Sequence, residues 1–186
     1  MTLKATQAEL YAMEGVAPIL AGEHSCILRK TLKHNLDNKA IHIGTPLIMY
    51  VAQGQQFISD SAGLHYVVDE GQMVFLSPGT YNVSHRVTAH ASFDAMLLFI
   101  DRQLVEKCLS DVATDNPPPS DDGKRILYAG EQIRRYMDAQ EYVYRNACSN
   151  DALLELKLLE LLHLIALQDP AQQLLRAMLS EDSDSA

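Results

Sequence analysis

The chain has 186 residues, 47% of them apolar and 21% charged. It is bounded to one globular domain, or a barrel with an attached helical segment, because domains run ~100 to 200 residues. That apolar content excludes disorder throughout, since it fills a core able to offset chain entropy. The formal charge of −9, from 24 acidic against 15 basic residues, excludes a phosphate-gripping surface, which needs clustered cations.

In chain order, residues 1–24 read as an N-terminal arm. Met1 to Glu9 has neither the apolar core nor the small-residue cleavage site of a secretory signal, so the expected location is cytoplasmic. Beyond it, glycines at 44, 54, 63, 71 and 79 separate short runs rich in Ile, Val, Tyr, Phe and Leu. The runs are 26–33, 40–43, 47–53, 55–59, 64–68, 72–76, 81–87 and 93–100. Turn signals every ~8 to 12 residues predict an antiparallel barrel or sandwich over 25–101 rather than a parallel sheet with crossover helices. Asp60-Ser-Ala-Gly63 and Asp69-Glu-Gly71 carry the turn chemistry, because Asp accepts local backbone bonds and Gly tolerates positive φ.

From Arg102 the period changes. Leu104, Val105, Cys108, Leu109 and Val112 fall at helical spacing, and the proline-rich stretch 113–123 reads as a stiff polar connector. Residues 126–145 predict a second helix. Asn150 is suited to cap a third, in which Leu154, Leu158, Leu161 and Ile165 fall at i, i+4, i+7 and i+11. Leu153, Leu156, Leu159, Leu162, Leu164 and Leu167 widen that stripe beyond one face. Such a helix either packs on two sides within its own subunit or offers one side to a second copy. The dimer reading assigns Leu154, Leu158, Leu161, Leu162 and Ile165 to the contact. Glu155, Lys157, Glu160 and His163 exclude it as a membrane span. Asp169-Pro170 stops the helix, 171–179 predicts a short one, and 181–186 is a polar tail.

The chemistry of known motifs is missing. Cys26, Cys108 and Cys148 are odd in number and far apart, which fits neither a disulfide framework nor a paired metal site. The sequence holds no Gly-x-Ser-x-Gly, His-Glu-x-x-His or P-loop pattern. None of the seven histidines forms the His-x-His with a following acid that a metal-holding barrel uses. Neither an enzyme nor a cofactor is expected. His85 is the one interior candidate to titrate near neutral pH; the competing reading places it exposed on the outer barrel face. Strand alternation puts Tyr81, Val83 and His85 on one side and Asn82, Ser84 and Arg86 on the other, and likewise separates Asp94, Met96 and Leu98 from Phe93, Ala95 and Leu97. If the barrel has a ligand cavity, the candidate contacts are Arg29, Lys30, Tyr81, Asn82, Asp94 and Met96, since pockets join apolar walls to a few aimed polar groups.

Three segments together carry a resemblance: Leu47-Ile-Met-Tyr-Val-Ala-Gln-Gly54, Gly71-Gln-Met-Val-Phe-Leu-Ser-Pro-Gly79 and Phe93-Asp-Ala-Met-Leu-Leu-Phe-Ile100, followed by the leucine-rich helix. Over roughly residues 25–180 this order resembles the N-terminal regulatory domain of AraC-type transcription activators, closest to the branch of the type III secretion activator ExsA. The resemblance implies an α+β fold, with an antiparallel cupin-like barrel of jelly-roll type and then a helical dimerisation segment over 102–180. It also implies homodimerisation through these C-terminal helices and a small-molecule effector or regulatory protein as partner. DNA would be read by a helix-turn-helix domain beyond the tail, and no membrane is involved. The alternative is a free-standing, metal-independent cupin that binds a small molecule or acts as an isomerase.

Overall fold

The computed structural model describes residues 12–87, 92–112, 125–144, 149–168 and 171–179. Its strands are β1 (Val16–Ala21), β2 (Cys26–Leu32), β3 (Leu36–Ile43), β4 (Leu47–Gln53), β5 (Gln55–Asp60), β6 (His65–Asp69), β7 (Gln72–Leu76), β8 (Gly79–Arg86), β9 (Phe93–Phe99) and β10 (Ile126–Tyr128). Its helices are α1 (Arg102–Asp111), α2 (Glu131–Tyr144), α3 (Asp151–Ala166) and α4 (Ala171–Ala177). The expected connector at 113–123, the stop at Asp169-Pro170, the tail and Cys148 lie outside the described residues.

The strands form two antiparallel sheets, a six-stranded one in the order β1-β2-β9-β4-β7-β10 and a four-stranded one in the order β3-β8-β5-β6. They face each other without closing into a barrel, which corrects the expected architecture. Gly54 makes the corner at which the chain leaves β4 for β5 and so changes sheet. Its φ is +88, and a Cβ there would lie 2.8 Å from the Arg86 carbonyl oxygen, so glycine answers both the backbone and the space.

Side-chain alternation then divides the molecule into two cores. Leu28, Met49, Val74, Leu97 and Phe99 point between the sheets and meet Ile58 and Val83 of the four-stranded sheet. Their neighbours Ile27, Ile48, Phe75 and Leu98 point the other way and meet α1, α2 and α3. The six-stranded sheet is therefore covered on both faces, which is why Leu47 to Val51 is buried at every position and reads as an unbroken apolar run. At ~1.5–3 kcal/mol for each large side chain removed from water, both cores stabilise the fold substantially.

Two edges depart from the expectation. β1 belongs to the presumed arm and pairs with β2, with a register break between Pro18 and Leu20; proline is tolerated because this is an edge strand. β10 occupies the first positions of the predicted second helix and pairs with β7, so the helix starts at Glu131 instead. Asn150 does cap α3, its side-chain oxygen accepting from the Leu153 amide at 2.9 Å.

The faces of α3 also sort differently from the dimer reading. Leu154, Leu158, Leu161, Leu162 and Ile165 are 2% exposed or less within a single chain, because they fill the core between the six-stranded sheet and the other helices. A second chain cannot touch them without displacing that packing. The opposite face is mixed: Leu156 is 65% and Leu167 78% exposed beside exposed Glu160 and half-buried His163, while half-buried Leu153, Leu159 and Leu164 pack against the core.

Candidate functional site

The inter-sheet core is interrupted by three polar residues. Lys30 stands in the inward row of β2 with Cys26, Leu28 and Leu32, and is 4% exposed. From the facing sheet come Gln56 of β5, 1% exposed, and His85 of β8, 2% exposed. Gln56 and His85 are opposite one another in the β5–β8 register, so their side chains rise side by side from the same face. All three line a small void of about 40 Å³, walled otherwise by Ile43, Leu47, Met49, Ile58, Leu97 and Phe99 among others, with His42 a further polar member. Met13 covers part of it. The turn that brings Met13 there needs Gly15, whose φ is +74 and whose Cβ would sit 2.0 Å from the Thr31 carbonyl oxygen.

The polar groups of the void are short of partners. Among the described residues, Gln56 Oε1 and His85 Nδ1 have no hydrogen bond, although buried polar atoms are nearly always paired. The His85 ring lies edge-on to Phe93, centroids 4.3 Å apart. Burial, and then the positive charges of Lys30 and Lys39, lower its pKa to about 3, so His85 is a neutral imidazole at physiological pH. Both expectations for it are corrected: it is buried, and it does not titrate near neutrality. Burial also lowers Lys30 to about 8, helped by Lys39 and opposed by Glu14. Glu14 itself is exposed and lies 3.5 Å from His34. Lys30 is thus drawn into the core along its length, while its ammonium is not among the buried polar atoms that lack a partner.

The six residues expected to contact a ligand fall in three places. Lys30 lines the void. Tyr81 is in the same core but donates its hydroxyl to the Ser77 carbonyl oxygen at 2.9 Å and is not at the void. Arg29, Asp94 and Met96 lie on the helix-facing side of the six-stranded sheet. There the Arg29 Nε donates to Asp94 Oδ1 at 2.9 Å and its Nη2 to Oδ2, a two-pronged pair that uses both groups structurally, while Met96 packs in the helix-side core. Asn82 is exposed on the outer face of β8. Gln56 was not anticipated, since nothing in a lone Gln-Gln before Phe57 signals which one turns inward.

A second hollow, more open and about 310 Å³, is lined by Glu23, Asp101, Asp151 and Glu155 among others. Two of its carboxylates serve the backbone: Asp101 accepts from the Gln103 amide and Asp151 from the Glu23 amide, each at 2.8 Å. Among the described residues, no group of three or more His, Cys, Asp and Glu comes close enough to hold a metal ion, and no helix is long and apolar enough to cross a membrane.

Residues 46–177, more than half of the chain, match the family described as the ExsA N-terminal regulatory domain. The chain belongs to this family. It is thus an AraC-type regulatory domain, and the matched stretch holds Gln56, His85 and α3 but not Lys30. No curated protein matches it by sequence. Among solved structures, apo ToxT K231A from Vibrio cholerae superposes with a TM-score of 0.61 at 14% identity, covering 89% of this chain and 62% of that one. Unsaturated fatty acid bound wild-type ToxT from the same organism gives 0.50 at 12% identity, covering 73% and 52%. The chain of this ExsA-type domain therefore spans about three fifths of the apo ToxT K231A chain, and the likeness is one of fold.

Proposed function

We propose that the chain is the sensing and self-associating half of an AraC-type transcription activator, a regulatory rather than a catalytic module. The observation that supports this most is α3. Its inner leucines are consumed by the chain's own core, with Leu153, Leu159 and Leu164 half-buried against it, yet Leu156 and Leu167 remain exposed. A solvated helix face is normally polar. Tyr142 and Val143 are also exposed, at 88% and 63%, on the end of α2, a helix tied to α3 where Tyr136 donates to the Lys157 carbonyl oxygen. A second copy meeting this surface about a two-fold axis would cover it, toward the ~1,600 Å² of a typical stable interface.

DNA contact in this reading belongs to a helix-turn-helix half of the full protein, because an acidic surface of net charge −9 repels phosphate. The dimer holds two such readers on adjacent half-sites. An effector acts only by preferring one arrangement of the dimer over another. The six-stranded sheet supports that linkage physically: Met49, Leu97 and Phe99 line the void on one side, while Ile48 and Leu98 touch the helix-side core on the other.

Sedimentation equilibrium tests the proposal. The wild-type chain is expected to be a dimer at micromolar concentration, and the double variant Leu156→Glu, Leu167→Glu a monomer with unchanged far-UV circular dichroism. A wild-type monomer, or a variant that still dimerises, would refute it.

A further inference from the structure

We propose that Met13 is a reversible oxidation site: peroxide converts its thioether to the sulfoxide, and the added oxygen turns into the void between the sheets, where His85 and Gln56 donate to it. The inference goes beyond the regulatory reading and does not depend on how the chain associates.

Access comes first. The sequence holds seven methionines. Met49, Met73, Met96, Met137 and Met178 are 7% exposed or less, and Met1 lies outside the described residues. Met13 is half-buried, in the turn that precedes β1, where its carbonyl oxygen accepts from the Val16 amide at 3.2 Å. Peroxide in solvent therefore reaches this sulfur before those five. A sulfur lone pair attacks one peroxide oxygen: the S–O bond forms, the O–O bond breaks, the sulfur loses two electrons and water leaves. Thiol-dependent reduction reverses the step.

The destination of the oxygen comes second. A sulfoxide disrupts the core that its methionine packed, because a strong acceptor is then buried with nothing to accept from. Met13 packs against the inter-sheet core and lines its void, where polar groups stand unused. His85 is 2% and Gln56 1% exposed, and His85 Nδ1 and Gln56 Oε1 have no hydrogen bond among the described residues. A neutral imidazole protonated on Nδ1 donates from there, and turning the Gln56 amide over presents its NH₂. Lys30, on the same wall, adds positive charge that favours the oxygen end of the S–O dipole. His42 also lines the void, but its Nδ1 is engaged 3.3 Å from the Thr80 hydroxyl.

Size fits an added atom rather than a free ligand. The void is about 40 Å³, where one water takes ~10–15 Å³ and small-molecule pockets run ~300–1,000 Å³. A single oxygen, delivered on a side chain already in place, enters without parting the sheets. Methionine is unbranched and freely rotating, which lets an oxygen added on the solvent side be turned inward.

Limited treatment of the chain with dilute hydrogen peroxide, followed by tryptic mass mapping, tests the site. Cleavage after Lys4 separates Met1 from Met13. Met13 is expected to gain its oxygen roughly tenfold faster than Met49, Met73, Met96, Met137 or Met178. Thermal unfolding then tests the destination. Oxidised wild type is expected to keep its Tm to within about 2 °C, whereas oxidation of Gln56→Leu or His85→Leu should lower Tm by roughly 4 to 8 °C, since the same oxygen is then buried unpaired. Adding Met13→Leu to either variant should abolish that fall. Should both variants fail to fold, NMR of the wild-type His85 ring carries the test, with the Nδ1 resonance expected to move on oxidation. Met13 oxidised no faster than the buried methionines, an equal fall of Tm in wild type and variants, or an Nδ1 resonance that oxidation leaves in place would each overturn the proposal.

Discussion

The two faces of the six-stranded sheet are built from alternate residues of the same strands, yet they are different materials. Toward the helices, Ile27, Ile48, Phe75 and Leu98 join Leu158, Leu161 and Ile165 in a largely apolar core, its polar members being the paired Arg29 and Asp94 and, on α2, buried Gln140 with an unpaired Oε1. Toward the other sheet, the equivalent rows close around a buried lysine and, beside it, a glutamine and a histidine that each leave one atom unpaired. A core that only needs to be stable takes the first form, because every unpaired polar group costs ~1–3 kcal/mol. The second form gives up stability, and such sacrifices collect where a protein binds something.

This contrast can be broken by removing one residue from each side. The largest effect is expected from Leu158→Ala in α3, which is completely buried. The lost transfer energy and the cavity left behind together cost ~3–5 kcal/mol, read as a fall in the urea midpoint. A loss under 1 kcal/mol would mean that α3 is not docked as described.

Lys30→Met on the opposite face is expected to do the reverse and stabilise. With its pKa lowered to about 8 in the fold against 10.5 unfolded, the protonated lysine opposes folding at all pH values below 8. The penalty, about 3 kcal/mol at 1.36 kcal/mol per unit, fades as pH rises from 8 to 10.5. Stability curves of wild type and variant should therefore converge over that window. Parallel curves would show that the ammonium is solvated.

His85 sharpens the same comparison from the acid side. Its folded pKa of about 3 lies below the unfolded value of 6.5, so the unfolded chain takes up a proton first. Stability is full above pH 6.5 and is lost as pH falls toward 3. By pH 5 the loss is about 2 kcal/mol. His85→Leu should remove this part of the acid limb, as measured by denaturant titration at pH 7 and pH 5; an unchanged limb would contradict the buried, neutral assignment.

Much of this architecture was legible in the chain because it is written locally. The glycine rhythm and period-two alternation located eight strands, with the ends of β4 and β7 placed to the residue, and Asn150 announced α3. β1 escaped because Pro18 interrupts a run that only an edge can hold, and β10 because three residues carry too little pattern to compete with the helix that follows. The leucine surplus of α3 was plain, but which leucines turn inward was not. At three- and four-residue spacing several faces are equally apolar, and the sheet beneath chooses among them. The site was least legible. Alternation grouped His85 with Tyr81 and Val83, but its meeting with Gln56 is a cross-strand register, and with Lys30 a contact between sheets. The Arg29–Asp94 pair shows the same gap from the other side: two residues expected at a ligand instead satisfy one another across β2 and β9.

The titration of the Lys30 ammonium, followed by NMR at its side-chain carbon next to the nitrogen, reads the central asymmetry directly. A midpoint near 8 is the result expected of a lysine that the inter-sheet core desolvates. A midpoint at 10.5 would show that this face of the sheet is as ordinary as the other.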